Sequence, residues 1–315
     1  REALDTYRGL GGNCAGEYPR ICRDGRGIHQ RWRSNPLRKG RRHLDADCGG
    51  AQLAVYDLAA LETALSNTTY TGKLHFTPMT GSTNTDALEA TRAGAPHGSV
   101  WFTDEQTAGR GRGGHRWIST ARQGLYASVL LRPDFPVERL PLLPLAAGLA
   151  AAEAIRAVCG LAVDLRWPND LLLGPRKTGG ILVESKIDSG VVAFAVVGIG
   201  INVHQREFGA GLATPATSLD MEMGRKVSRQ DLLVALLKSL EHEAVWLADE
   251  ATAATLRTRI EQASTWVRGR LVDAHGPQAC TGMTEGLDLN GFLRVRTAES
   301  LVTVQTGGIR APETR

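Results

Sequence analysis

The sequence predicts an α+β chain, a mixed sheet flanked by helices and followed by a small all-β unit. Three observations carry this reading. Strand-like and helix-like segments alternate from Lys73 onward, two strand-like segments are joined by Asp188-Ser189-Gly190 as an antiparallel hairpin, and from Val267 the pattern turns to short strands separated by glycine. At 315 residues and 42% apolar composition the chain is large enough for one main core and a small second one.

Residues 1–52 mix Gly, Arg and Asn with few apolar residues and no sustained period. They are expected to be disordered, or a spurious extension of the chain, because they bury too little surface to offset their ordering entropy. Residues 53–265 form the main domain. It begins with a short helix, Leu58–Leu65, capped by Asp57; then come a strand at Leu74–Pro78, a helix at Ser82–Ala93 entered through Ser-Thr-Asn, and strands at Ser99–Asp104 and Leu125–Leu131. A long alanine-rich helix, Leu145–Cys159, precedes strands near Val163–Arg166, Gly180–Ile187 and Val191–Ile201, the last two rich in β-branched residues. Apolar residues at spacings of three and four make helices of Arg229–Ala248 and Thr252–Ala263. Residues 266–315 carry the small barrel in strands Val267–Asp273, Gln278–Leu287, Gly291–Thr297 and Val302–Gln305.

Composition narrows the function classes. The net charge of +4 is concentrated: residues 1–50 hold 11 Lys/Arg against 6 Asp/Glu, leaving 26 against 27 for the rest. A nucleic-acid footprint on the folded part is therefore not indicated. A DNA-binding helix-turn-helix is not expected either, because Gly9, Gly11, Gly12, Gly16, Pro19, Gly25, Gly27, Pro36 and Gly40 leave no room for two amphipathic helices. The five cysteines are odd in number and scattered, which speaks against a disulfide framework and for a reducing cytoplasmic compartment. Cys14, Cys22, His29, His43 and Cys48 include no C-x2-C pair and give no metal-site pattern. The apolar run Leu140–Ile155 contains Pro141 and Pro144 and reads as a turn entering a buried helix, not as a membrane span.

The chemistry gathers at residues 105–117, where Gly109, Gly111, Gly113 and Gly114 alternate with Arg110, Arg112 and Arg116 and the run ends on Trp117. Glycine lets a backbone approach a ligand closely, and each guanidinium offers a planar fork of donors to carboxylate or phosphate oxygens. The spacing fits neither a phosphate loop nor a dinucleotide fingerprint, so this is another kind of anion loop. Three clusters follow beside apolar strands: Trp167-Pro168-Asn169-Asp170, Arg176-Lys177-Thr178-Gly179-Gly180 and Gly198-Ile199-Gly200-Ile201-Asn202. Each mounts polar groups on a rigid sheet end, although each taken singly also reads as ordinary strand-end packing or a turn.

Together with Ser82-Thr83-Asn84, Gln106 and Lys177 through Glu184, these clusters occur in an order and spacing that resembles the biotin protein ligases. The resemblance spans roughly residues 55–315 and includes Gly307-Gly308-Ile309-Arg310 near the C-terminus. It implies a class II synthetase-like catalytic domain followed by an SH3-like barrel. It also implies a two-step reaction: biotin and ATP form biotinyl-5′-AMP, and the biotinyl group then passes to a lysine of a biotin carboxyl carrier protein or domain of acetyl-CoA carboxylase. By the same resemblance, biotin is bound by Ser82, Thr83, Asn84, Gln106, Gly109, Arg110, Gly111, Arg112, Lys177 and Gly180. ATP, with Mg²⁺ on its phosphates, is bound by Arg110, Arg112, Trp117, Asn169, Lys177 and Asn202. Arg112 and Lys177 act on the carboxylate and α-phosphate, and Asp170 meets the incoming lysine. A homodimer is compatible with the family; a membrane or specific DNA partner is not expected. Many relatives carry arginine where Gly113 or His115 stands, which makes this loop less basic and its hold on the reactive intermediate the point of difference. Rival readings are a lipoate or octanoate ligase or transferase, and a biotin-responsive repressor that would need the helix-turn-helix missing from residues 1–50.

Overall fold

The computed structural model describes residues 56–312. The expectations for residues 1–52, their disorder and their lack of a metal or DNA-binding pattern, lie outside the described residues.

Seven strands build the main sheet: β1 (Leu74–Thr80), β2 (Val100–Gln106), β3 (Gly124–Leu131), β4 (Asp164–Arg166), β5 (Asp170–Leu173), β6 (Arg176–Asp188) and β7 (Val191–Asn202), in the spatial order β1-β2-β3-β7-β6-β5-β4. Only β1 and β2 pair in parallel, because helix α2 (Thr83–Arg92) carries the chain back between them; the other neighbours are antiparallel. The expected hairpin joins β6 and β7 through Ser189 and Gly190, both at positive φ (51° and 82°), as a two-residue loop matched to strand twist requires.

Side chains alternate across this sheet, and both faces are covered. Leu130 and Val196 point to a small cluster with Ala87 of α2, while Val129, Leu131, Ala195 and Val197 belong to the main core. That core is closed by α1 (Leu58–Ala64), α3 (Leu143–Cys159), α5 (Arg229–Ala248) and α6 (Glu250–Gln262). Asp57 caps α1 by accepting from Ala60 N, and Gly160 ends α3 in the left-handed conformation. Val137–Cys159 is a helical run of mean hydropathy 1.6, long and apolar enough by composition to cross a membrane, yet 67% buried against this core. Pro141 and Pro144 lie at its start, in a 3₁₀ turn and in the first turn of α3, where a missing N–H costs least.

Five more strands, β8 (Arg268–His275), β9 (Cys280–Leu287), β10 (Leu293–Arg296), β11 (Leu301–Val304) and β12 (Gly308–Arg310), make an antiparallel sheet ordered β11-β10-β9-β8-β12. Three elements correct the sequence reading. Strand β5 was not anticipated: Asp170 opens it, pairing with Arg166 on one side and Gly180 on the other, so the alternative reading of this residue as part of a turn does not hold. The next strand starts at Arg176, not near Gly180, and a short helix α4 (Leu219–Met223), capped by Ser218, was not anticipated.

Candidate functional site

The main sheet ends in a cleft of about 680 Å³, and register explains why the sequence clusters meet there. Gly124 of β3 pairs with Asn202 of β7, Gly179 of β6 with Ile201, and Asp170 of β5 with Gly180. Of the fourteen residues singled out from the sequence, all but Gly109 line the cleft.

One end of the cleft is neutral and tied together. Ser82, Thr83 and Asn84, at the start of α2, are each 4% exposed. Gln106 Oε1 accepts from Thr83 N (2.9 Å) and Thr83 Oγ1 (3.2 Å), and its Nε2 donates to Ser119 Oγ at 2.7 Å. Ser128 Oγ lies 2.7 Å from Thr83 Oγ1 and donates to Asn84 Oδ1 at 2.6 Å. Gly198 leaves the room Asn84 occupies, since a Cβ there would stand 2.1 Å from Asn84 Oδ1. Such a network fixes its donors and acceptors before a ligand arrives.

The glycine–arginine loop closes the other side as a tight hairpin. Trp117 N donates to Gly109 O and Gly111 N to His115 O, and Gly113 and Gly114 turn the chain at positive φ. Trp117 then lies across the paired glycines of β6 and β7: a Cβ on Gly200 would meet its Nε1 at 2.6 Å, and one on Gly180 its Cζ3 at 3.6 Å. Trp117 Nε1 has no partner. Arg110 reaches Glu184 Oε2 at 2.6 Å, whereas Arg112 donates to Gly307 O and, at 3.0 Å, to Thr306 Oγ1 of the second sheet.

At the charged end, Lys177 Nζ meets Asp170 Oδ1 at 2.5 Å and Arg166 Nη2 meets Asp170 Oδ2 at 2.5 Å. Burial raises the Asp170 pKa, but Lys177 and Arg166 outweigh it and hold the carboxyl below the usual carboxylate range. His275 also faces the cleft, its pKa held down by burial and then by Arg310, Arg166, Arg112 and His115. This end therefore gathers positive charge that suits an anion. Asn169 Nδ2 donates to Ile181 O (2.8 Å) and Asn202 Nδ2 to Thr217 O (3.0 Å), so each amide is oriented by backbone.

Sequence reasoning brought this set together but missed Ser128, Arg166, His275 and Thr306, and it named Gly307 without giving it a place in the site. Ser128 carried a signal, as the one aliphatic hydroxyl on an otherwise apolar strand. Arg166 stands directly before the Trp-Pro-Asn-Asp cluster; His275 and Thr306 gave none. Among the described residues no group of three His, Cys, Asp or Glu side chains could hold a metal ion.

The chain is similar to known proteins. The biotin/lipoate A/B protein ligase family matches residues 76–202. The chain is 35% identical over 245 residues to the biotin–[acetyl-CoA-carboxylase] ligase of Mycobacterium tuberculosis, covering 75% of this chain and 88% of that one. It is 38% identical over 162 residues to the bifunctional ligase/repressor BirA of Bacillus subtilis, covering 51% of this chain and spanning about half of that relative's length (50%). Among solved structures, the biotin protein ligase from Aquifex aeolicus in complex with biotin and ATP superposes with a TM-score of 0.66 at 30% identity, over 76% of this chain and 98% of that one.

Proposed function

The chain belongs to the biotin/lipoate A/B protein ligase family, and from that premise we propose that it is an ATP-dependent biotin protein ligase. It forms biotinyl-5′-AMP and transfers the biotinyl group to a lysine of a biotin carboxyl carrier protein or domain of acetyl-CoA carboxylase. The observation that carries this reading is the polarity of one cleft: a neutral, pre-ordered hydrogen-bonding end beside a cationic end. The first suits a ureido ring with its matched donors and acceptors. The second suits a carboxylate brought against a triphosphate.

In the first step the biotin carboxylate attacks the α-phosphorus of ATP, and the bond to the departing pyrophosphate breaks. Two anions must approach, so the required work is charge neutralisation and alignment. Lys177 supplies it by leaving Asp170 for the reacting oxygens, while Arg110 and Arg112 close the loop over the phosphates. Trp117 packs against adenine, with Asn169 and Asn202 holding the nucleotide side. Mg²⁺ enters on the phosphate oxygens as part of the nucleotide substrate. In the second step the acceptor amine attacks the mixed anhydride carbonyl and AMP leaves. Asp170, kept ionised by its cationic neighbours, attracts and orients the incoming ammonium once Lys177 has moved and accepts the proton that the ammonium must lose before the amine attacks.

The test is pyrophosphate release with MgATP and, in turn, biotin, lipoate and octanoate. Release with biotin alone is expected. Release only with lipoate or octanoate would reassign the acid, and release with none would overturn the adenylation step.

A further inference from the structure

Glu184 is the one end of the Lys177–Glu184 motif that the proposed chemistry leaves without a task. It sits on β6, and its Oε2 accepts from Arg110 Nη2 at 2.6 Å and from Asn84 Nδ2 at 2.8 Å. The two donors belong to the two ends of the cleft. Asn84 is part of the neutral network, and Arg110 is the first arm of the loop.

A partly exposed ion pair is ordinarily worth little, because both partners are mobile and solvated. Here one side does not move. Asn84 is 4% exposed, its Oδ1 is taken by Ser128 and it lies in the space left by Gly198, so it presents its Nδ2 to Glu184 in one orientation. The carboxylate is thereby a fixed point on the sheet. What it fixes is a glycine-rich hairpin that is costly to order, since Arg110 stands between Gly109 and Gly111 and glycine loses the most freedom on ordering. Glu184 engages a single Nη of Arg110, leaving the rest of that fork for an anion.

We propose that Glu184 is a positioning residue that tethers Arg110, and through it the glycine–arginine loop, to the hydrogen-bond network at the ring-reading end of the cleft. Thr83, Gln106, Ser128 and Asn84 already hold one another, so the loop closes on a carboxylate whose place is set, and a ligand that touches both the network and the loop adds its own contacts to that closure. The ligand named for the cleft rests on the ligase reading; the tether itself does not.

The experiment is limited trypsin digestion of the full chain, following cleavage after Arg112 and Arg116 by mass spectrometry for the wild type, Glu184→Gln, Arg110→Gln and the double variant, with and without biotin. Without biotin each single variant is expected to be cut about tenfold faster, the loss of one charge-assisted hydrogen bond, and the double variant no faster than either. Biotin is expected to protect the wild-type loop more than either variant, a difference that a merely structural carboxylate would not produce. Cleavage within about twofold of wild type, or additive effects in the double variant, overturns the tether. If Glu184→Gln lowers the thermal midpoint, Arg110→Gln decides alone by the same limits, because Arg110 is 41% exposed and bears on no core. The substrate-free arm separates failure of the tether from failure of the ligase reading.

Discussion

The two ends of the cleft are built on opposite principles. At the neutral end Thr83, Asn84 and Ser128 are buried and Gln106 is half-buried, and all four are uncharged and already bonded to one another. At the cationic end Arg112 and Lys177 are each engaged by a partner that an anionic substrate would displace, the Thr306–Gly307 segment and Asp170, while Glu184 holds Arg110 through a single Nη. The difference follows from what each end has to hold. A neutral ring gains from fixed dipoles, since unmet buried donors and acceptors are costly. Bare clustered cations repel, so they are stored in pairs and exchanged on binding. On the proposed reaction, selectivity resides at the rigid end and reactivity at the end whose ion pairs are exchanged.

The strongest way to break this comparison is at Lys177. Lys177→Ala removes the cation expected on the reacting oxygens while leaving the neutral network intact, so pyrophosphate release at saturating biotin is expected to fall by roughly 10²–10³-fold with little change in biotin affinity. Loss of biotin affinity without loss of rate would mean that the two ends are not separable.

Arg112→Gly probes the same end more gently. It removes the link to Thr306 and Gly307 and leaves Lys177 in place, so adenylation is expected to continue while the intermediate escapes roughly ten- to hundredfold faster. The readout is biotin appearing on unrelated lysine-bearing proteins. Labelling still confined to one acceptor would show that the loop does not retain the intermediate through Arg112.

The rigid end is tested by Gly198→Ala. Its new methyl would overlap Asn84, and the overpacking is expected to cost about 1–3 kcal/mol, read as weaker biotin binding by calorimetry with an unchanged rate at saturation. A variant that binds biotin as the wild type does would show that Asn84 is free to move and that the network is less rigid than its geometry indicates.

Much of the cleft was legible in the sequence, for a physical reason. Strand-end residues are positioned by register, and apolar runs such as Val191–Asn202 declare where the strand ends. The Gly-Arg alternation declared its own chemistry. What was not legible is what each cation touches in the absence of substrate. Arg112 and Thr306 lie 194 residues apart and Arg110 and Glu184 lie 74 apart, and no local pattern encodes such pairings. The strand that Asp170 opens was not read, because Pro168 and Asn169 just before it are turn formers; its pairing with Gly180 comes from the neighbouring strand, not from its own propensity.

The smallest expected effect concerns pH, and it separates the two ends without touching the chemistry. The folded-state pKa of Asp170 is depressed by Lys177 and Arg166 against the opposing pull of burial. A depressed carboxylate contributes stability above its unfolded pKa, about 4, and loses it as pH falls through the lower folded value. The thermal midpoint of Asp170→Asn is therefore expected to lie below that of the wild type at neutral pH and to approach it in acid. Ser128→Ala removes a hydroxyl that does not titrate, from a hydrogen bond worth about 1 kcal/mol, so its deficit is expected to stay constant over the same range. Parallel pH profiles for the two variants would mean that Asp170 contributes through packing or hydrogen bonding and not through its charge, and the picture of stored ion pairs at the cationic end would fail there.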